Sequence, residues 1–337
     1  MDLKYLKTRQ VGATLWVEIN NPPVNWLTTD ICEELFMLVR KVEKDPSIRV
    51  FILTGGIDDV YIMHFSIPEL VKISPDNEKI MMDKIFRSRI LGRMFAFLTT
   101  FSNWLMDWVP GYETLTLKNF KAIRNFSSTL FLWFLMHRLY LAIERMGKIT
   151  IAAINGPCNG GGTELSACFD FRFMIHDQDF TIGQPEVLVG IIAGGGGTQR
   201  LPRLLGKARA LEIMLTGKQL TPEQAKASGL ITDHFAKDEF IRRVQEFADT
   251  MARRIPVAVK GTKLAVHDGF ETSLRHGLSI EMEQTIRCFA SPMTRKVLPA
   301  YASFIRKRVE VPKEERATIH EVIEMLQGDE FLKKLSD

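Results

Sequence analysis

Lys148–Leu165 reads K-I-T-I-A-A-I-N-G-P-C-N-G-G-G-T-E-L, and Thr181–Arg203 reads T-I-G-Q-P-E-V-L-V-G-I-I-A-G-G-G-G-T-Q-R-L-P-R. The first segment opens on the apolar run Ile149–Ile154, the pattern of a buried strand, and closes on a glycine turn. Consecutive glycines at 160–162 let backbone N–H groups approach a ligand, because no Cβ stands in the way, and a helix start there adds partial positive charge. Such a turn suits a developing anion. It is not a phosphate loop, since the G-x-x-x-x-G-K-[ST] pattern is absent. Each segment also carries a glutamate beside its glycines, Glu164 and Glu186. Adding water across a double bond needs one group to activate water and another to deliver a proton, and two carboxylates can divide that work. Charge developing on a carbonyl oxygen is stabilised by fixed N–H donors, which the glycines supply. Burial raises the pKa of Glu164 and helix-start N–H groups lower it; the sequence leaves that balance open.

Outward from this core the pattern is α/β. Residues 13–19 are rich in β-formers and end at N-N-P-P, which marks a turn. From Thr28 or Thr29 apolar residues recur every three to four positions, giving an amphipathic helix with a Thr cap, and Arg49–Thr54 is a short buried strand closed by Gly55 and Gly56. The loop after it, from Val60 to Leu70, belongs at a strand's C-terminal end, where α/β proteins often bind ligands. A helix is expected over Leu130–Met146 with Gly147 as its C-cap. T-P-E-Q at 221–224 is a capping box with Pro222 at the first helical position, followed by helical patterns near 237–253, 257–268, 272–290 and 294–307. Pro312–Gln327 reads as a charged final helix. The expected organisation is a core over 1–235, interrupted by an aromatic and basic stretch at about 77–128, a helical region over 236–308 and a charged tail over 309–337.

With 337 residues, 46% of them hydrophobic, the chain can bury a sizeable core. A formal net charge of +4 demands neither nucleic acid nor an anionic membrane. Four cysteines without C-x-x-C spacing argue against a disulfide framework or a cysteine zinc site and fit a reducing cytoplasm. The N-terminus lacks the apolar segment of a secretory signal, and no run of about 18 apolar residues is present to span a bilayer.

The motifs I-A-A-I-N-G-P-C-N-G-G-G-T-E-L-S-A-C-F-D, G-Q-P-E-V-L-V-G, A-G-G-G-G-T-Q-R-L-P-R and L-T-G-K-Q-L-T-P-E-Q-A-K-A-S-G-L-I resemble those of the enoyl-CoA hydratase/isomerase (crotonase) superfamily. The resemblance spans roughly residues 11–75 and 129–308. It implies a spiral of β-β-α turns followed by trimer-forming helices, a homotrimer or hexamer, and an acyl coenzyme A thioester as substrate. No metal or redox cofactor is implied, coenzyme A being part of the substrate. Carried over by motif, Glu164 and Glu186 are the catalytic glutamates, and Gly161 N–H is one oxyanion donor with Gly160 beside it. Gly194 matches a glycine lining the site. The second oxyanion donor falls on Phe65 N–H. There the chain departs from the frequent F-x-A-G-x-D-L, placing Met63 and His64 where the family has alanine and glycine, so these two are expected to line the substrate pocket. Two glutamates favour a hydratase. Isomerase, thioester hydrolase or lyase chemistry, on coenzyme A or an acyl carrier protein, and a non-catalytic acyl-CoA-binding role stay open. Asp170 and Arg200 are read as structural. His64 is read mainly as a pocket-wall residue. The 170–183 segment is about two residues longer than usual, and the 77–128 stretch is an insertion that covers the acyl tunnel, thickens an oligomer contact or meets a membrane surface.

Overall fold

The computed structural model describes residues 3–72, 87–109, 111–112, 115–116, 119, 124, 128–177 and 179–327. Strand β1 (Leu6–Val11) pairs antiparallel with β2 (Thr14–Ile19). Only β2 was legible in advance: β1 buries Leu6 alone and is otherwise open to water, so it carries no apolar alternation. Helix α1 (Thr29–Lys44) starts at Thr28, whose hydroxyl accepts from Ile31 N–H at 3.3 Å, and buries Ile31, Leu35, Phe36 and Val39 against the sheet that continues with β3 (Val50–Gly55).

After β3 come α2 (Ile67–Lys72), α3 (Arg89–Trp108) and α4 (Ser128–Glu144), then β4 (Ile149–Ile154), whose residues are all buried. The described part of the expected insertion is chiefly α3, which exposes Ile90, Met94, Phe97, Phe101 and Trp104 along one face. Residues 77–86, including Lys84 of the basic run, lie outside the described residues. Gly147 is not a left-handed helix cap, because α4 ends at Glu144. Its N–H donates to Glu43 Oε2 (2.9 Å), and a Cβ there would stand 2.9 Å from the flexible Lys260 side chain.

The chain continues through β5 (Cys158–Asn159), α5 (Gly161–Ser166), β6 (Phe171–Ile175), β7 (Ile182–Gly183), a 3-10 turn at Glu186–Val189, α6 (Gly197–Leu205), α7 (Lys207–Thr216), β8 (Gln219–Leu220), α8 (Pro222–Ser228) and β9 (Asp233–Phe235). The main sheet runs β1-β2-β3-β4-β6-β9, parallel from β2 onward. A second ladder is built from shorter pieces, β5-β7-β8, and is prolonged by single-residue bridges Ile62↔Cys158 and Leu27↔Phe65. Strand, short strand and helix thus recur as a β-β-α spiral, and the two glycine-rich segments meet where the ladders lie side by side.

Helices α9 (Phe240–Ala252), α10 (Pro256–Phe270), α11 (Leu274–Ala290) and α12 (Pro292–Arg308) follow, within a few residues of their expected bounds. The tail is not one helix from Pro312. A 3-10 turn occupies Lys313–Glu315, and α13 (Ile319–Gln327) starts afresh at Thr318, whose hydroxyl accepts from Glu321 N–H (3.3 Å) while Glu321 Oε2 accepts from Thr318 N–H (2.6 Å). Among the described residues no helix is long and apolar enough to cross a membrane.

Candidate active site

The loop after β3 is held from both flanks. Leu27 N–H donates to the His64 carbonyl (3.0 Å), Ser66 N–H to the Leu27 carbonyl (2.8 Å), and Asn159 N–H to the Met63 carbonyl (3.1 Å). In that alternation Phe65 N–H faces away from Leu27. A Cβ built on Gly161 would lie 3.4 Å from Phe65 N, so the two residues expected from sequence to supply main-chain donors are neighbours, though 96 positions apart in the chain. Neither N–H has an acceptor among the described residues.

Glu164 lies in the first turn of α5 and is 3% exposed. Its Oε1 accepts from both Gly195 N–H and Gly197 N–H at 2.8 Å. Burial pushes its carboxyl up to about 7; the Gly197 and Gly195 hydrogen bonds oppose the shift, and the nearby Glu186 charge adds to it. Desolvation therefore outweighs the hydrogen bonds from Gly197 and Gly195. Gly194 is exposed and makes no hydrogen bond to Glu164; the glycines that hold Glu164 are its neighbours. Because that turn is read only by what it touches, its spacing alone did not reveal them. A side chain on Gly195 would strike Glu164 Oε2 at 2.7 Å, which explains a glycine there.

Arg200 fixes the same turn. It donates to Glu144 Oε1 and Oε2 at 2.6 and 2.9 Å, lies over the Tyr140 ring, and donates to the Gly195 carbonyl at 3.2 Å. A residue read as purely structural is thus one bond removed from the Glu164 cradle. Asp170 does have a structural setting: it accepts from Thr150 N–H (2.8 Å) and Lys263 Nζ (2.7 Å).

Glu186 opens the 3-10 turn and is half-buried, and burial raises its carboxyl above the ordinary value. Gln184, fully buried, donates from its amide nitrogen to both Glu186 oxygens at 2.7 and 2.8 Å in the amide orientation that satisfies both groups. Gly160 sits between the halves, its missing Cβ position 2.9 Å from Glu186 Oε1 and 3.7 Å from His64 Cβ. His64 donates through Nδ1 to the Phe65 carbonyl (2.6 Å) and stacks on Trp26, with ring centroids 5.8 Å apart. Met63, His64, Phe65, Gly160, Gly161 and Glu186 therefore gather in one place, with Glu164 on the other side of α5's first turn, close enough for its charge to feel Glu186. Two carboxylates raised toward neutrality beside unused N–H donors can exchange protons with a substrate whose oxygen becomes anionic.

Residues 117–308, more than half of the chain, match the enoyl-CoA hydratase/isomerase family. A crotonyl-CoA hydratase of Syntrophomonas wolfei is 33% identical over 208 residues, covering 60% of this chain and 77% of its own. A short-chain-enoyl-CoA hydratase of Clostridium acetobutylicum is 26% identical over 309 residues, covering 91% and 97%. In fold, the crystal structure of an enoyl-CoA hydratase from Bacillus anthracis superposes with a TM-score of 0.69 over 89% of this chain and 96% of its own, at 23% identity. With its β-β-α spiral, its paired glutamates and these relatives taken together, the chain belongs to the enoyl-CoA hydratase/isomerase family.

Proposed function

We propose that this protein is an enoyl-CoA hydratase, adding water to a trans-2-enoyl coenzyme A thioester or removing it in the reverse direction. The observation that carries the reading is the adjacency of Phe65 N and Gly161, with no acceptor for either N–H among the described residues, while the neighbouring Gly160 lies against Glu186 and Glu164 follows in the same helix turn. The two N–H groups hold the thioester oxygen as it takes up enolate charge. Glu164 and Glu186 hold and activate the water, and Glu186 delivers the proton to the α-carbon. One carboxyl must be ionised and the other protonated for this, and burial raises both above the ordinary glutamate value, Glu164 to about 7. Met63, His64, Gly160 and Gly194 line the substrate. The reaction uses no metal or redox cofactor.

A homotrimer or hexamer is supported by α11, which exposes Leu274, Leu278, Met282, Ile286 and Phe289 as one apolar stripe. A reducing, cytoplasmic setting is supported by four unpaired cysteines, three of them buried.

The test is purified protein with a series of 2-enoyl-CoA esters, product masses read by mass spectrometry. A product heavier by one water supports hydration, whereas an isomer of unchanged mass, a free acid or no turnover overturns it. Glu164→Gln and Glu186→Gln should each lower turnover by about 10²–10⁴-fold. Intact turnover in both would remove the proposed chemistry.

A further inference from the structure

Away from the glycine core, side chains from three elements meet at the outer edge of the main sheet. His176 follows β6, His234 lies in β9, the edge strand, and Glu223 lies in the first turn of α8. His176 Nδ1 is 3.1 Å from His234 Nδ1, and His176 Nε2 is 2.7 Å from Glu223 Oε1. One ligand atom from each of the three lies within 4.8 Å of the others. The backbones that present them are locked: His176 N–H donates to the Phe235 carbonyl at 2.7 Å, prolonging the β6-β9 ladder, and Glu223 sits inside the Thr221–Gln224 capping box. Glu223 Oε2 accepts from the Thr221 hydroxyl at 2.8 Å.

We propose that His176, His234 and Glu223 form a binding site for a late first-row divalent cation, with zinc the natural probe. Two imidazoles and one carboxylate are the ligand set that such ions favour, and three protein ligands leave a position for water. Two imidazole nitrogens facing each other share either one proton or a cation; an ion between them takes Nδ1 of His176 at roughly 2.0–2.1 Å, and the exposed Glu223 carboxylate, which here meets Nε2 of the same ring, turns toward that point to complete the set. Glu223 is exposed at the start of α8 and supplies the anionic ligand. The nearby cation, Lys226, is engaged by Asp233 at 2.6 Å. A bound ion would clip the edge strand to α8 and to the longer segment that leads toward Glu186.

The experiment is calorimetric titration of the full chain, freed of any affinity tag, with ZnCl₂ and with MgCl₂ as control. One zinc per chain is expected, with no saturable magnesium binding. Affinity should fall roughly tenfold or more in Glu223→Gln and be lost in His176→Ala/His234→Ala. All three side chains are half-buried or exposed, so the variants should keep the wild-type circular dichroism. Zinc-induced shifts of these two imidazoles in NMR spectra of the wild type give a reading independent of the variants. Absence of saturable zinc binding, undiminished binding in the double variant, or imidazole shifts confined to other histidines would each overturn the site.

Discussion

A methyl group on Gly160 would stand 2.9 Å from Oε1 of Glu186. The residue also adopts φ +51° and ψ −120°, a conformation that side chains resist. Gly160→Ala should therefore cost about 1–3 kcal/mol in chemical denaturation. It should also lower turnover, because the carboxylate it displaces is one of the two proposed proton carriers. Wild-type stability would show that the backbone relaxes without strain.

Glu164 titrates near 7 when folded against 4.5 for an ordinary glutamate. The sign follows from linkage: between these values the unfolded chain ionises while the folded chain keeps its proton, so stability is full below about 4.5 and declines as pH rises through about 7. The contribution is on the order of 3 kcal/mol. Denaturation at pH 5 and pH 8 should show Glu164→Gln gaining on wild type at the higher pH. An equal difference at both pH values would mean that the folded carboxyl is not raised.

Arg200 and Glu144 form a two-point ion pair with each side chain 15% exposed. Removing one partner strands a largely buried charge, so Arg200→Met should cost about 3–5 kcal/mol. It also releases the Gly195 carbonyl. The expected signature is a fall in kcat larger than any rise in KM, with Arg200→Lys intermediate because an ammonium cannot reproduce the paired geometry.

His64 spends its Nδ1 proton on the Phe65 carbonyl and its ring face on Trp26. It shapes the loop that presents Phe65 N–H. His64→Ala should accordingly lower kcat by less than about tenfold, well short of the 10²–10⁴-fold expected on losing a general acid or base. A larger fall at unchanged stability would make it a proton carrier.

Much of this architecture is legible from local pattern. The apolar run at Ile149–Ile154, the Thr28 cap, and the Thr221–Gln224 box each specify an element through contacts within a few residues, and all three form. Where local signals were weak the reading slipped. The edge strand β1 has no buried face to announce it, and the Thr318–Glu321 box divides a tail whose composition alone suggested one continuous helix.

By itself the sequence determined the α/β character, and through its glycine-rich motifs the resemblance that implies a spiral and singles out Glu164 and Glu186 as candidates, because periodicity and motifs are properties of short stretches. Tertiary structure decided the rest. Gly195 and Gly197 hold Glu164, Phe65 N lies against Gly161, and two histidines face each other across β6 and β9. Each is a contact between backbone or side-chain atoms brought together only when distant elements pack. No periodicity encodes it, since hydrogen-bond partners and desolvation depend on distance in space rather than separation along the chain.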